Sequence, residues 1–193
     1  FKEIRECTVG IIGVGAIGVK TAQYFKALEA KVIGYDPYPN DRNKEIIEYC
    51  ELDYLRKNSD IIILHLPYIP NENYHMINEE FLSEIKQGCI LMNSARGELV
   101  DLAAINKSIK ENRLWKYGCD VLENEDKYFY KKHSTIEELD NEVIQESLSL
   151  YPRIIITPHV AADTYLAKKN RVLITYKMIN SLYTTDSCEY LID

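Results

Sequence analysis

The stretch TVGIIGVGAIGVKTAQYFKALEAKVIGYDPY, residues 8–38, constrains this chain more than any other. Val9, Ile11 and Ile12 make an apolar run into a turn where Gly13, Gly15 and Gly18 stand at GxGxxG spacing. The pattern predicts a β-strand, a glycine turn, a helix and a second strand ending at Asp36. Each glycine has its own physical job. The first permits the tight turn, the second lets a pyrophosphate approach the backbone, and the third lets helix and strand pack closely. The helix would then aim unpaired N–H groups and its positive end at the phosphates. A lone GxGxxG also occurs in glycine-rich turns of other α/β proteins, with an acid such as Asp36 merely solvated. Here the strand, the helix and an acid 18 residues beyond Gly18 all accompany it, which makes dinucleotide binding the specific expectation. A carboxylate at Asp36 accepts hydrogen bonds from ribose hydroxyls and repels a 2′-phosphate. Pro37 and Tyr38 bring no cation to offset that, so the expected cofactor is NAD rather than NADP.

A length of 193 residues favours one domain, taken as residues 1–193. The net charge of −7, with no Lys/Arg cluster, argues against a nucleic-acid partner. No apolar run approaches membrane-spanning length and no signal-peptide pattern opens the chain. The five cysteines (Cys7, Cys50, Cys89, Cys119 and Cys188) are odd in number and form no CxxC pair, so no metal centre is expected. Together these features lead to the expectation of a cytoplasmic location.

Beyond Asp36, helical stretches are expected at 44–49 and 52–57, then a strand from Ile61 to Leu66 stopped by Pro67. Asn78 caps a predicted helix to Lys86, and Cys89 to Met92 form a strand running into the NSARG turn, residues 93–97. Asp101 caps a helix to about Glu111, and Leu114 to Val121 form another strand. A helix is expected from about Ile136 to Leu150, a strand from Arg153 to Thr157, and a helix from about Asp163 to Tyr183. Strands alternating with helices in this way imply a doubly wound parallel sheet, a Rossmann-type three-layer α/β/α fold. Six strands are expected, in the order 3-2-1-4-5-6. Gly13, Asp36, Pro67, Arg96, Asp120 and His159 each end a predicted strand. In such sheets the carboxyl ends line one crevice, so residues scattered in sequence should converge there.

Three residue types at those ends could do chemistry. Arg96 carries a planar fork suited to bidentate capture of a small carboxylate, although an isolated arginine more often pairs on the surface. His159, held after Pro158, can give and take a proton near neutrality, although single histidines are more often buried against a carbonyl. An acid beside His159 would orient its ring and stabilise the charged form, and spacing leaves Glu123, Glu125 and Asp126 equally eligible. His65 and His75 could line the same cleft, while His133 lies in a charged insert.

GVGAIG with Asp36, LHLP, NSARGELVD, DVLENE and ITPHVA occur here in order. Together they resemble the NAD-dependent D-2-hydroxyacid dehydrogenase family, nearest to its D-lactate dehydrogenases and the related vancomycin-resistance enzyme. The resemblance covers the family's nucleotide-binding domain. It implies that Arg96 binds the substrate carboxylate, that His159 is the acid/base, and that Glu125 is its partner. It implies further that Asp120 holds the nicotinamide carboxamide and that Leu66, Pro67 and Asn73 surround the nicotinamide ribose and ring. Ala16 and Ile17 would lie at the pyrophosphate, and Ser94 and Ala95 would also contact the cofactor. After His159, VAADTY departs from the aromatic-rich continuation of many D-lactate dehydrogenases.

The expected reaction is therefore reduction of a small, pyruvate-like 2-keto acid to the D-2-hydroxy acid with NADH, in a homodimer. The family's substrate domain is not among these 193 residues, so the chain alone is expected to bind NAD without catalysing. Two alternatives stand beside this: an NAD-responsive, corepressor-like binding protein, and an NADP-dependent glyoxylate or hydroxypyruvate reductase.

Overall fold

In the computed structural model, which describes residues 2–185, seven strands form one parallel sheet. They are β1 (Thr8–Ile12), β2 (Lys31–Tyr35), β3 (Glu48–Tyr49), β4 (Ile61–Leu64), β5 (Cys89–Asn93), β6 (Leu114–Cys119) and β7 (Ile154–Ile156). Their order is β3-β2-β1-β4-β5-β6-β7. Helices α1 (Ala16–Ala27), α2 (Leu52–Asn58), α3 (Glu79–Ser83), α4 (Leu102–Lys110), α5 (Glu142–Ser149) and α6 (Tyr165–Thr185) complete the regular structure. This is the expected Rossmann-like arrangement, with β1 paired in parallel to both β2 and β4.

Three expectations are corrected. The helix expected at 44–49 is a 3-10 turn at Asp41–Asn43 followed by β3 on the sheet edge, where the Cys50 N–H donates to the Gly34 carbonyl at 2.8 Å. The sheet therefore has seven strands instead of six. The expected order put the strand at 61–66 third, beyond the second strand; instead it is the fourth strand and pairs with β1, and the place beyond β2 is taken by β3. The helix expected from 136 begins only at Glu142, since Asn141 is extended and its side chain accepts from the Ile144 N–H, which makes it the cap. Before it lie a 3-10 turn at Ile136–Glu138 and the buried, extended Leu139.

Alternation along the central strands separates two cores. Ile12, Ile62 and Leu64 belong to a large cluster with Leu55, Phe81, Leu91 and Ile105. Val9, Ile11, Ile61 and Ile63 belong to a smaller one with Ala22 and Val32. Successive strand residues point to opposite faces, so these are the two faces of the sheet. The large cluster draws on α2, α3, α4 and α5, whereas α1 is the helix that contributes to the smaller one.

At the amino ends of the strands, Asp60 ties β1 to β4. Its carboxylate accepts from the Thr8 N–H at 2.9 Å and from Lys2 and Lys86, each at 2.8 Å. Burial by itself would raise its pKa, but these hydrogen bonds outweigh it and hold the carboxyl at about 2, below the ordinary 3.8.

The chain divides into two compact units, Phe1–Pro158 and His159–Asp193. The second is described by α6 and the turn before it; Leu166, Val172, Leu173, Tyr176, Ile179 and Leu182 lie on that helix and are exposed. Cys7, Cys50, Cys89 and Cys119 are unpaired, and Cys188 lies outside the described residues. Among the described residues, no helix is long and apolar enough to cross a membrane.

Two stability outcomes follow. Ile62→Ala removes a fully buried side chain and should cost about 2–5 kcal/mol in urea unfolding, while Tyr38→Ala, at 83% exposure, should stay within about 0.5 kcal/mol. Because the folded pKa of Asp60 is depressed, its stabilisation is present above the ordinary value of 3.8 and is lost as pH falls toward about 2. Asp60→Asn should flatten the stability profile across that window, and an unchanged profile would contradict the assignment.

Candidate functional site

The glycine turn is built by close approach. Gly13 sits at φ +96, and a Cβ there would lie 2.6 Å from both the His65 carbonyl carbon and the Leu66 nitrogen. A Cβ at Gly18 would strike the Gly13 carbonyl oxygen, so α1 can lie against the turn only with glycine there. Gly15 differs. A Cβ on it would meet no atom within 4 Å, and it caps α1 without a side-chain bond. The open space and the unpaired N–H groups of the first turn of α1 form a cradle that an added methyl would fill, which fits an approaching pyrophosphate. Ala16 and Ile17 at this helix start are exposed, Ile17 at 67%.

Asp36 follows β2, and its carboxylate is already anchored. Oδ2 accepts from the Val14 N–H at 2.7 Å and Oδ1 from the Tyr38 N–H at 2.9 Å. These bonds fix the acid against the glycine turn, and each oxygen keeps acceptor capacity for a ribose hydroxyl.

After β4, Leu66 is buried and Pro67 exposed. Asn73 closes this loop on itself: Oδ1 accepts from the Ile69 N–H and Nδ2 donates to the Pro67 carbonyl, both at 2.8 Å. His65 lies beneath the turn, its Nε2 2.9 Å from Thr21 Oγ1 on α1. Burial lowers its pKa, which favours a neutral ring.

The NSARG turn depends on a residue that sequence reasoning left out. Asn93, at 1% exposure, accepts from the Ala95 N–H at 3.0 Å and donates to the Arg96 carbonyl at 2.8 Å, so one carboxamide brackets the turn. Its signal in the sequence was a polar residue closing an apolar strand. Ser94 and Arg96 are exposed, and Ala95 is buried, its carbonyl accepting from Arg96 Nη1 at 2.6 Å. Gly97 presses on the next loop, where a Cβ would collide with the backbone of Leu122 and Glu123. That loop follows β6. Asp120 is buried and accepts from the Thr157 hydroxyl, and Glu125 Oε2 accepts from the Leu122 N–H at 3.1 Å.

Gly13, Asp36, Leu66, Arg96, Asp120 and Glu125 thus all follow carboxyl ends of parallel strands on one edge of the sheet. His159 opens the second unit, in the left-handed region at φ +51.

A doubly wound sheet with a phosphate cradle at its switch point and an acid anchored on the second strand defines a dinucleotide-binding domain. Residues 1–161 match the sequence family described as "D-isomer specific 2-hydroxyacid dehydrogenase, NAD binding domain". The chain belongs to this family, as its NAD-binding domain. It is 35% identical over 188 residues to an aromatic 2-oxoacid reductase of Clostridium sporogenes (strain ATCC 15579), covering 97% of this chain and 56% of that protein. It is 35% identical over 187 residues to a D-lactate dehydrogenase of Treponema pallidum (strain Nichols), with the same shares of 97% and 56%. The crystal structure of D-lactate dehydrogenase with NAD+ from Lactobacillus jensenii superposes with a TM-score of 0.92 at 33% identity, over 100% of this chain and 57% of that one. The chain therefore spans little more than half the length of these relatives.

The first two glycines of the turn separate stability from binding. Gly13→Ala should lose about 1–3 kcal/mol of stability, because both its φ and its neighbours are backbone-fixed. Gly15→Ala should stay within about 1 kcal/mol of wild type yet bind NADH at least ~10-fold more weakly by fluorescence titration. Unchanged affinity would remove the cradle.

Proposed function

We propose that the full-length protein reduces a small 2-keto acid to the D-2-hydroxy acid at the expense of NADH. Gly13, Gly15, Ala16, Ile17 and Gly18 would hold the pyrophosphate and Asp36 the adenosine ribose. Leu66, Pro67, Asn73, Ser94, Ala95 and Asp120 would surround the nicotinamide end. When bound there, the reduced nicotinamide supplies the hydride. The chain's own side chains do the rest. Arg96 fixes the substrate carboxylate through paired hydrogen bonds and polarises the keto group. His159 donates a proton to the keto oxygen, and Glu125 favours its charged form and aims the ring. In oxidation of the hydroxy acid the same histidine takes the proton back.

The observation that supports this most is the contact of Gly97 with the Leu122–Glu123 backbone, which sets the arginine turn directly against the loop of Glu125. Asn93 in turn holds Arg96 in place by bracketing that turn. Glycine at 97 is what allows such an approach. The proposal extends to the whole chain acting as one nucleotide-binding domain, to a homodimer and to a cytoplasmic location. Light scattering on the purified protein reads the dimer.

The side chain of the keto acid is left to a panel, because the chain is equally similar, at 35% identity, to an aromatic 2-oxoacid reductase and to a D-lactate dehydrogenase. Pyruvate and phenylpyruvate, each assayed with NADH and NADPH, should give turnover with NADH on at least one acid. Preference for NADPH would overturn the role of Asp36. In the same assay Arg96→Gln should lower kcat/KM for the keto acid by ~100-fold or more while leaving NADH affinity within ~2-fold. Retention of turnover within ~10-fold of wild type would remove Arg96 from the mechanism.

A further inference from the structure

A second acid stands two residues before Glu125, and its surroundings are more elaborate than a surface carboxylate needs. Glu123 Oε2 lies 3.0 Å from His75 Nε2, and the Tyr74 hydroxyl donates to Glu123 Oε1 at 3.2 Å. The Tyr74 and His75 rings stack with centroids 3.9 Å apart and planes 15° from parallel. Tyr68 adds a tilted contact to Tyr74, with centroids at 6.3 Å. Both partners of the ion pair remain partly exposed, at 28% for His75 and 37% for Glu123. A pair that wet adds little to stability, so charge attraction does not account for the arrangement.

His75 is a junction. Its backbone N–H donates to the Glu98 carbonyl at 2.8 Å, within the segment that follows Arg96. Its ring reaches Glu123 in the loop after β6, and the residue itself belongs to the loop after β4 that Asn73 closes. It adopts φ +47 to face both neighbours at once. Gly97 presses on the Leu122 and Glu123 backbone of the same loop. Three strand-end loops are therefore tied at one residue.

The acid loop also has a lever. Asn124 stands at φ +55 between Glu123 and Glu125, so the chain reverses there and the Glu125 carboxylate folds back onto the Leu122 N–H at 3.1 Å. Holding Glu123 sets the orientation of that reversal and, through it, where Glu125 sits. We infer that Glu123, clamped by His75 and Tyr74, is a positioning residue that registers the loop of Glu125 against the turn of Arg96. It acts through Glu125 and touches neither cofactor nor substrate. This inference rests on the role given to Glu125 under the proposed function.

The test uses the full-length protein and the best keto acid of the panel, with Glu123→Ala, Glu123→Gln and Glu125→Gln compared. Glu123→Ala should lower kcat by ~10- to 100-fold with KM for NADH within ~2-fold, since it misplaces a catalytic group without disturbing the cofactor cradle. Glu123→Gln keeps an acceptor oxygen for Tyr74 and His75 and should hold kcat within ~3-fold of wild type. Wild-type kcat in Glu123→Ala, or an equal fall in Glu123→Gln, would overturn the inference. Glu125→Gln tells the two levels apart. If it retains turnover, the proposed mechanism fails; if it loses turnover while Glu123→Ala does not, only the clamp fails. Should Glu123→Ala not fold, His75→Asn tolerates the same left-handed backbone, removes the ring contact and carries the same expectation.

Discussion

The backbone of Gly13 lying against His65 and Leu66 is the contact from which the rest of the binding edge follows. It closes the turn after β1 onto the end of β4, where the sheet's connections change direction. With a side chain at Gly13 the two strand ends would have to separate. The Val14 N–H that receives Asp36 and the helix start at Ala16 would move with them. One residue's freedom at positive φ therefore sets the place of the phosphate cradle and of the acid beside it.

The same economy recurs along the edge. Four loops after strands are closed by a side chain acting on backbone: Asp36 on Val14 and Tyr38, Asn73 on Pro67 and Ile69, Asn93 on Ala95 and Arg96, Glu125 on Leu122. Such closures shape the loops before any ligand arrives, and preorganised groups do not have to reorganise when charge develops. Gly97 and His75 then connect loop to loop. Apart from the Gly13 contact, stability rests on the two apolar layers and on the Asp60 anchor at the opposite ends of β1 and β4. Changes at the binding edge can thus alter binding or turnover while the core stays intact.

Much of this was legible in the sequence, and the parts that were not share a physical cause. Apolar runs such as 61–64 and the glycine spacing announce themselves because buried parallel strands and phosphate turns tolerate few alternatives. The cap at Asp101 was equally visible, and its side chain accepts from the Ala103 and Ala104 N–H groups. The strand at Glu48–Tyr49 was hidden because two edge residues carry no periodicity. The start of α5 was misplaced because Asn141, inside an apparently helical run, stops the helix by capping it. At the site, sequence pointed to candidate residues at the strand ends, Glu123 and His75 among them, but not to the bonds that Asn93, Thr157 and the Glu123–His75 pair make. Asn93 bonds to backbone two and three residues on, whereas the Thr157–Asp120 and Glu123–His75 bonds join side chains 37 and 48 positions apart, a separation that leaves no local pattern.

The central claim is that one sheet edge would hold NAD over Gly13–Gly18, present Arg96 to a keto acid and offer Glu125 to His159. A crystal structure of the full-length protein with NAD+ and oxamate, an unreactive pyruvate analogue, tests it most directly. The account predicts the pyrophosphate against the N–H groups at Gly15–Ile17, Asp36 on the adenosine ribose, Arg96 paired with the oxamate carboxylate, and Glu125 hydrogen-bonded to His159. An oxamate bound away from Arg96, or a Glu125 turned away from His159 in that complex, would contradict it.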